Sequence, residues 1–138
     1  MGKTTAYERT AMAEICLHAA HDGSLSSPEI VGKLIAAGIE GYTVDYRRNT
    51  QTFYLPDGDS LVLDMPQQAM SPSRPVSMES RWNAWSAGRR PNGANYSYAK
   101  FSQKARAAGC AGYLVSFPGR RVLYLGRTAE VRVEHFPG

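Results

Sequence analysis

The chain has 138 residues, enough for one domain with a sizeable core, and its 43% hydrophobic and 20% charged composition is that of an ordinary globular protein. No apolar run reaches the ~18 residues that a membrane helix needs, and the start, Met1-Gly2-Lys3-Thr4-Thr5-Ala6-Tyr7-Glu8, leads into no long apolar stretch, so neither a membrane protein nor a secreted one is expected. Two cysteines, Cys16 and Cys110, supply no disulfide framework and no Cys-x-x-Cys pair, which fits the reducing cytoplasm.

The net charge of +4 conceals a division. Residues 1–69 hold five Lys and Arg against nine carboxylates, a net −4, whereas residues 70–138 hold eleven against three, a net +8. A basic surface raises the local concentration of anionic ligands, so the second half is expected to meet an acidic protein or nucleic acid.

In chain order, residues 6–20 are predicted to form a helix with Tyr7, Ala11, Met12, Ile15 and Ala19 on its apolar face. Ser26-Ser27-Pro28-Glu29 then combines an N-cap serine, a first-turn proline and an early carboxylate. It opens a second helix whose buried face is Ile30, Val31, Leu34 and Ala37 and whose stop is Gly38. The period changes to two at Tyr42, Val44 and Tyr46, a strand with Thr43 and Asp45 on its other side. Arg47-Arg48-Asn49-Thr50 is a hairpin turn, 51–55 the returning strand, Pro56-Asp57-Gly58-Asp59 a second turn, and 60–64 a third strand. Residues 67–75, rich in Pro, Ser and Gln, form the linker.

The same pattern then returns at a constant offset of 71. Ala36-Ala37-Gly38-Ile39-Glu40-Gly41-Tyr42-Thr43-Val44-Asp45-Tyr46 matches Ala107-Ala108-Gly109-Cys110-Ala111-Gly112-Tyr113-Leu114-Val115-Ser116-Phe117, and without a gap Phe53 matches Tyr124, Val62 matches Val133 and Pro66 matches Pro137. The offset predicts helices over 77–88 and 97–108 and strands over 113–117, 121–125 and 129–136. The expected architecture is α+β: a single domain over 1–138, made of an acidic repeat over 1–66 and a basic repeat over 76–138. Each repeat is a helix, a helix and a three-stranded antiparallel meander, with helices packed on the sheet and the copies related by a pseudo-twofold axis. Whether the meanders join in one sheet or two is left open.

The segments 107–116, Gly119-Arg120-Arg121-Val122-Leu123-Tyr124 and Val133-Glu134-His135-Phe136-Pro137 resemble the YdfO-like family of small bacterial and prophage proteins, a family of unknown function. The similarity covers most of the chain and is strongest from Tyr96 onward. It implies a mixed α and β fold and brings no catalytic residue, cofactor or substrate.

No catalytic or cofactor fingerprint stands out. Cys110 is a conceivable nucleophile, but it takes the place of Ile39 in the first copy, as a packing residue would. His18 and His21 with Cys16 suggest a metal site, yet Cys16 and His18 fall on different helix faces. His135 and Glu134 alternate on a strand and point to opposite faces. The glycine-rich Gly38-Ile39-Glu40-Gly41 and its copy follow a helix and precede a strand, the reverse of a phosphate loop. No catalytic residue, metal or cofactor is assigned. Twelve arginines against four lysines are harder to set aside, because guanidinium forks pair with carboxylate and phosphate. Arg47, Arg48, Arg89, Arg90, Arg120, Arg121 and Arg127 are the candidate binding residues of a non-enzymatic module. The alternative is a small enzyme or ligand-binding protein with a pocket between the repeats, lined by Tyr54, Tyr96, Tyr98, Cys110 and His135. A third reading is self-assembly, acidic repeat against basic repeat.

Overall fold

In a computed structural model of the chain, residues 6–65, 75–76 and 98–136 are described. The helix predicted over 77–88 and nearly all of the linker lie outside them. The described residues form three helices, α1 (Ala6–Asp22), α2 (Ser27–Ala36) and α3 (Tyr98–Ala107). Six strands accompany them: β1 (Gly41–Asp45), β2 (Thr50–Tyr54), β3 (Ser60–Asp64), β4 (Cys110–Ser116), β5 (Arg121–Gly126) and β6 (Val131–His135). The strands form one antiparallel sheet in the order β3-β2-β1-β4-β5-β6, so the two meanders meet at β1 and β4.

Local chemistry sets the helix ends. Ser26 and Glu29 make a reciprocal capping box: the Glu29 amide donates to Ser26 Oγ at 3.3 Å and the Ser26 amide donates to Glu29 Oε1 at 3.0 Å. Hydrogen bonding from the Ser26 amide, and secondarily from the Ser26 hydroxyl, holds the Glu29 carboxyl below its usual range. At the other end Gly38 takes φ +84°, its amide donating to Ile35 O at 2.9 Å and the Ile39 amide to Leu34 O at 3.1 Å, which satisfies two carbonyls left over by α2. Gly109, at φ +91°, does the same after α3, donating to Arg106 O at 3.2 Å.

The core lies between the helices and one face of the sheet. Ala13, Cys16 and Leu17 of α1, Leu34 and Ala37 at α2, and Ala105 and Ala108 at α3 pack on Val44, Tyr46, Phe53, Tyr113, Val115 and Tyr124. Phe53, Tyr42, Tyr113 and Tyr124 form a row across four strands with neighbouring ring centroids 5.8, 6.4 and 5.7 Å apart. Tilted and edge-on pairs of this kind add about 0.5–1.5 kcal/mol each beyond their buried area. The predicted face of α1 holds only in part: Ala19 is buried and Met12 packs against the core, but Tyr7 is 82% and Ile15 53% exposed, and Ala13, Cys16 and Leu17 complete the buried side. Alanines at Ala11, Ala13, Ala19 and Ala20 leave several faces able to pack, and the face carrying Cys16 and Leu17 fills more of the core.

The seam between β1 and β4 pairs Gly41 with Ser116, Thr43 with Leu114 and Asp45 with Gly112. Both glycines are required there. A Cβ on Gly41 would run into the Val115 carbonyl oxygen, and one on Gly112 into the Val44 carbonyl oxygen, each backbone that cannot swing aside. Gly32, on the exposed side of α2, has no atom within 4 Å of such a Cβ. Accordingly Gly112→Ala is expected to lower unfolding stability by about 3 kcal/mol, as backbone overpacking does. Gly32→Ala should raise it by about 0.5–1 kcal/mol through helix propensity. Denaturant unfolding of the two variants checks both, and a Gly112→Ala protein as stable as the parent would remove the seam constraint.

Candidate functional site

The face of the sheet away from the helices carries Thr43 and Asp45 from β1, Gly112 and Leu114 from β4 and Leu125 from β5. Along one cross-strand row the register aligns Asp45, Gly112, Leu125 and Val131. Gly112 leaves a gap in that row, and a shallow groove of about 520 Å³ opens over it, walled by Leu114 and Leu125 and ended by Arg47 and Arg127. Arg47 comes from the β1–β2 turn, whose chain is tied to the start of β4 by the Tyr46 amide donating to Ala111 O at 2.9 Å. Arg127 follows β5, its amide donating to Gly109 O at 2.8 Å. Both side chains are exposed, as is Arg48. Asp45, also in the groove, accepts the Arg47 and Arg48 amides at 2.9 and 3.1 Å, so its carboxylate shapes the turn that presents the guanidiniums.

Antiparallel pairing at the seam sends the other arginines to the opposite end. The β4–β5 turn, with Arg120 and Arg121, lies past the start of β1, where the Phe117 amide donates to Glu40 O at 3.0 Å. Strands of this length span about 16 Å. That exceeds the screening length of about 8 Å at physiological salt, so the two ends are separate electrostatic patches. The Arg120 and Arg121 end also carries Glu40, whose carbonyl accepts the Phe117 amide beside the β4–β5 turn. Arg89 and Arg90 lie outside the described residues.

One arginine has a different use. Arg106 on α3 is only 8% exposed, lies 5.0 Å over the Tyr46 ring and donates from Nη2 to Asn49 Oδ1 at 3.1 Å. Asn49 in turn donates from Nδ2 to Met65 O at 3.0 Å and holds φ +57° in the β1–β2 turn. Arg106 therefore straps α3 to the turn that carries Arg47, a role that sequence spacing does not reveal because Arg106 and Asn49 are 57 residues apart.

Of the residues of the alternative pocket, Tyr54, Cys110 and His135 do not come together. Cys110 is fully buried in the core, Tyr54 is exposed on β2 with its hydroxyl 3.5 Å from Thr43 Oγ1, and His135 is exposed at the end of β6. Four strand spacings separate β2 from β6, about 19 Å. Tyr96 lies outside the described residues, and Tyr98 is the first residue of α3. On α1, Cys16 is buried and His18 exposed, so the two face opposite sides. No group of three or more His, Cys, Asp or Glu suited to a metal occurs among the described residues, and no helix among them is long and apolar enough to cross a membrane. No family model and no curated protein matches the chain, so the site is read from its own residues.

Burial pushes the Cys110 thiol up to about 12 from an ordinary 9.0. A thiol that stays protonated is a poor nucleophile. In the folded protein Cys110 is therefore expected to react with an alkylating reagent at pH 8 only as fast as the chain opens. Because its folded pKa lies above the unfolded one, its contribution to stability is complete below about 9 and is lost as pH rises toward 12. Cys110→Ala should flatten that alkaline decline and cost about 1 kcal/mol at neutral pH. Alkylation kinetics and unfolding at several pH values check this, and rapid labelling of the native protein would contradict it.

Proposed function

We propose that this protein is a non-enzymatic binding module that takes an extended acidic segment of a partner protein in the groove between Arg47 and Arg127. The observation that carries the reading is that two exposed arginines, 80 positions apart in the chain, line one groove together with Leu114 and Leu125. Guanidinium forks suit carboxylates, and Leu114 and Leu125 favour an occupant with apolar side chains between its charges over a bare phosphate backbone. Arg120 and Arg121, at the far end of the sheet, would contribute less. Tyr54 on β2 and His135 on β6 stand too far apart to share a pocket with the buried Cys110.

We also infer that the halves are copies of one duplicated unit about a pseudo-twofold axis through the seam. Support comes from positions 71 apart doing the same work: Tyr42 pairs with Phe53 as Tyr113 pairs with Tyr124, and Thr50 with Asp64 as Arg121 with His135. Asn49 and Arg120 both have positive φ, as do Gly58 and Ala129. The proposed kinship with YdfO-like proteins and a cytoplasmic location would fit a small binding module of this kind.

The test is binding of a fluorescent Glu-rich peptide with interspersed Leu, set against a single-stranded oligonucleotide. Arg47→Glu with Arg127→Glu should weaken the peptide by at least about tenfold, the order expected for reversing two charges at a partly dry site, while Arg120→Glu with Arg121→Glu should change it less. Peptide affinity should fall gently with salt. A steep logarithmic slope on the oligonucleotide, about −0.7 per phosphate neutralised, would point to nucleic acid instead. Unchanged binding by the Arg47 and Arg127 double variant would discard the groove.

A further inference from the structure

The sheet ends on one side at β6, and no described strand lies beyond it. The Phe136 amide donates to Arg120 O and the Gly126 amide to Glu130 O, both at 2.8 Å, which fixes the alternation of the ladder: even-numbered residues of β6 bond to β5. The amides and carbonyls of Val131, Val133 and His135 therefore point outward along the edge. Exposed edges of this type are templates for another strand unless charge, proline or a bulge prevents it. Here the charges do not prevent it. The sequence Val131-Arg132-Val133-Glu134-His135 has charges of opposite sign placed symmetrically about Val133.

We propose that β6 is a homodimerisation edge that pairs antiparallel with β6 of a second copy, centred on Val133. In that register the outward groups of Val131 and His135 meet those of His135 and Val131 of the other copy, and Val133 meets its own equivalent. Arg132 of each copy then stands directly opposite Glu134 of the other, twice per dimer, in the close pairs where cross-strand charges interact most strongly. The symmetry is closed, so assembly stops at two. Val133 and Val131, 46% and 52% exposed, bring their apolar side chains together across the join with Leu123 and Leu125 behind them on the open face. The opposite edge is less suited to self-pairing. β3 ends in Asp64 and follows Asp57 and Asp59, so two β3 edges would bring like charges together. This edge adjoins the groove and shares Leu125 with it, but uses neither Arg47 nor Arg127.

Sedimentation equilibrium of the full chain tests the proposal, with far-UV circular dichroism to confirm that each variant is folded. The parent should show twice the 15.1 kDa chain mass at high micromolar concentration. Arg132→Glu alone and Glu134→Arg alone should each weaken the dimer by about tenfold or more, since each turns two attractive pairs into repulsive ones. The double variant Arg132→Glu with Glu134→Arg restores opposite charges at both pairs and should recover the dimer, an outcome that mere damage to the fold would not produce. Val133→Pro removes an outward amide without touching the β5 ladder and should leave a folded monomer. A parent that stays at chain mass, single reversals that dimerise like the parent, or loss of the dimer on Val62→Pro but not on Val133→Pro would each overturn the assignment.

Discussion

The closeness of two backbones at the β1–β4 seam is the constraint on which the rest of the structure depends. Where Gly41 faces the Val115 carbonyl and Gly112 faces the Val44 carbonyl, no side chain can be accommodated, and the approach they permit joins two three-stranded meanders into one sheet. A meander alone offers one half-covered face and is marginal in water. Joined, the strands align Phe53, Tyr42, Tyr113 and Tyr124 into a single aromatic row beneath the helices. The same glycine that allows the approach leaves the gap in the outer face that becomes the groove. Packing at the centre and access at the surface thus share one cause.

Antiparallel joining also decides how charge is distributed. Each hairpin turn near the seam lies beside the start of the other meander's first strand, so the described hairpin arginines do not gather into one basic surface. Arg47, Arg48 and Arg127 collect at one end, and Arg120 and Arg121 at the other. Among the described residues, the −4 and +8 division along the chain is therefore a poor guide to where the hairpin arginines sit. Local geometry decides instead: Asp45 is engaged in holding its turn, and Arg106 is taken out of the surface altogether by Tyr46 and Asn49.

Much of the local structure was legible in the amino-acid order because single residues determine it. Ser26 and Glu29 start α2, Gly38 and Gly109 end helices, and the alternation of Tyr42, Val44 and Tyr46 separates the buried side of β1 from Thr43 and Asp45. What could not be read depends on partners distant in sequence. Alanines make the stripe of α1 ambiguous, and only contact with α2 and α3 selects Cys16 and Leu17 over Tyr7 and Ile15. The groove needs the β1–β4 register, which brings a turn at Arg47 beside the end of β5. Nothing in the spacing of Arg47 and Arg127 announces it. The burial of Cys110 was anticipated from its exchange with Ile39, since both positions fill the core just after a helix stop.

Native-state hydrogen exchange across the sheet tests the role of the seam most directly. The bonds from the Tyr46 amide to Ala111 O and from the Phe117 amide to Glu40 O place the amides of Tyr42, Val44, Tyr113 and Val115 between β1 and β4. If the seam unites the halves into one cooperative unit, these four amides exchange only through global unfolding, with the largest opening free energy in the protein and the full denaturant dependence. Exchange of the four at lower denaturant than the β2–β3 and β5–β6 amides would mean that the meanders part before they unfold, and would contradict the account.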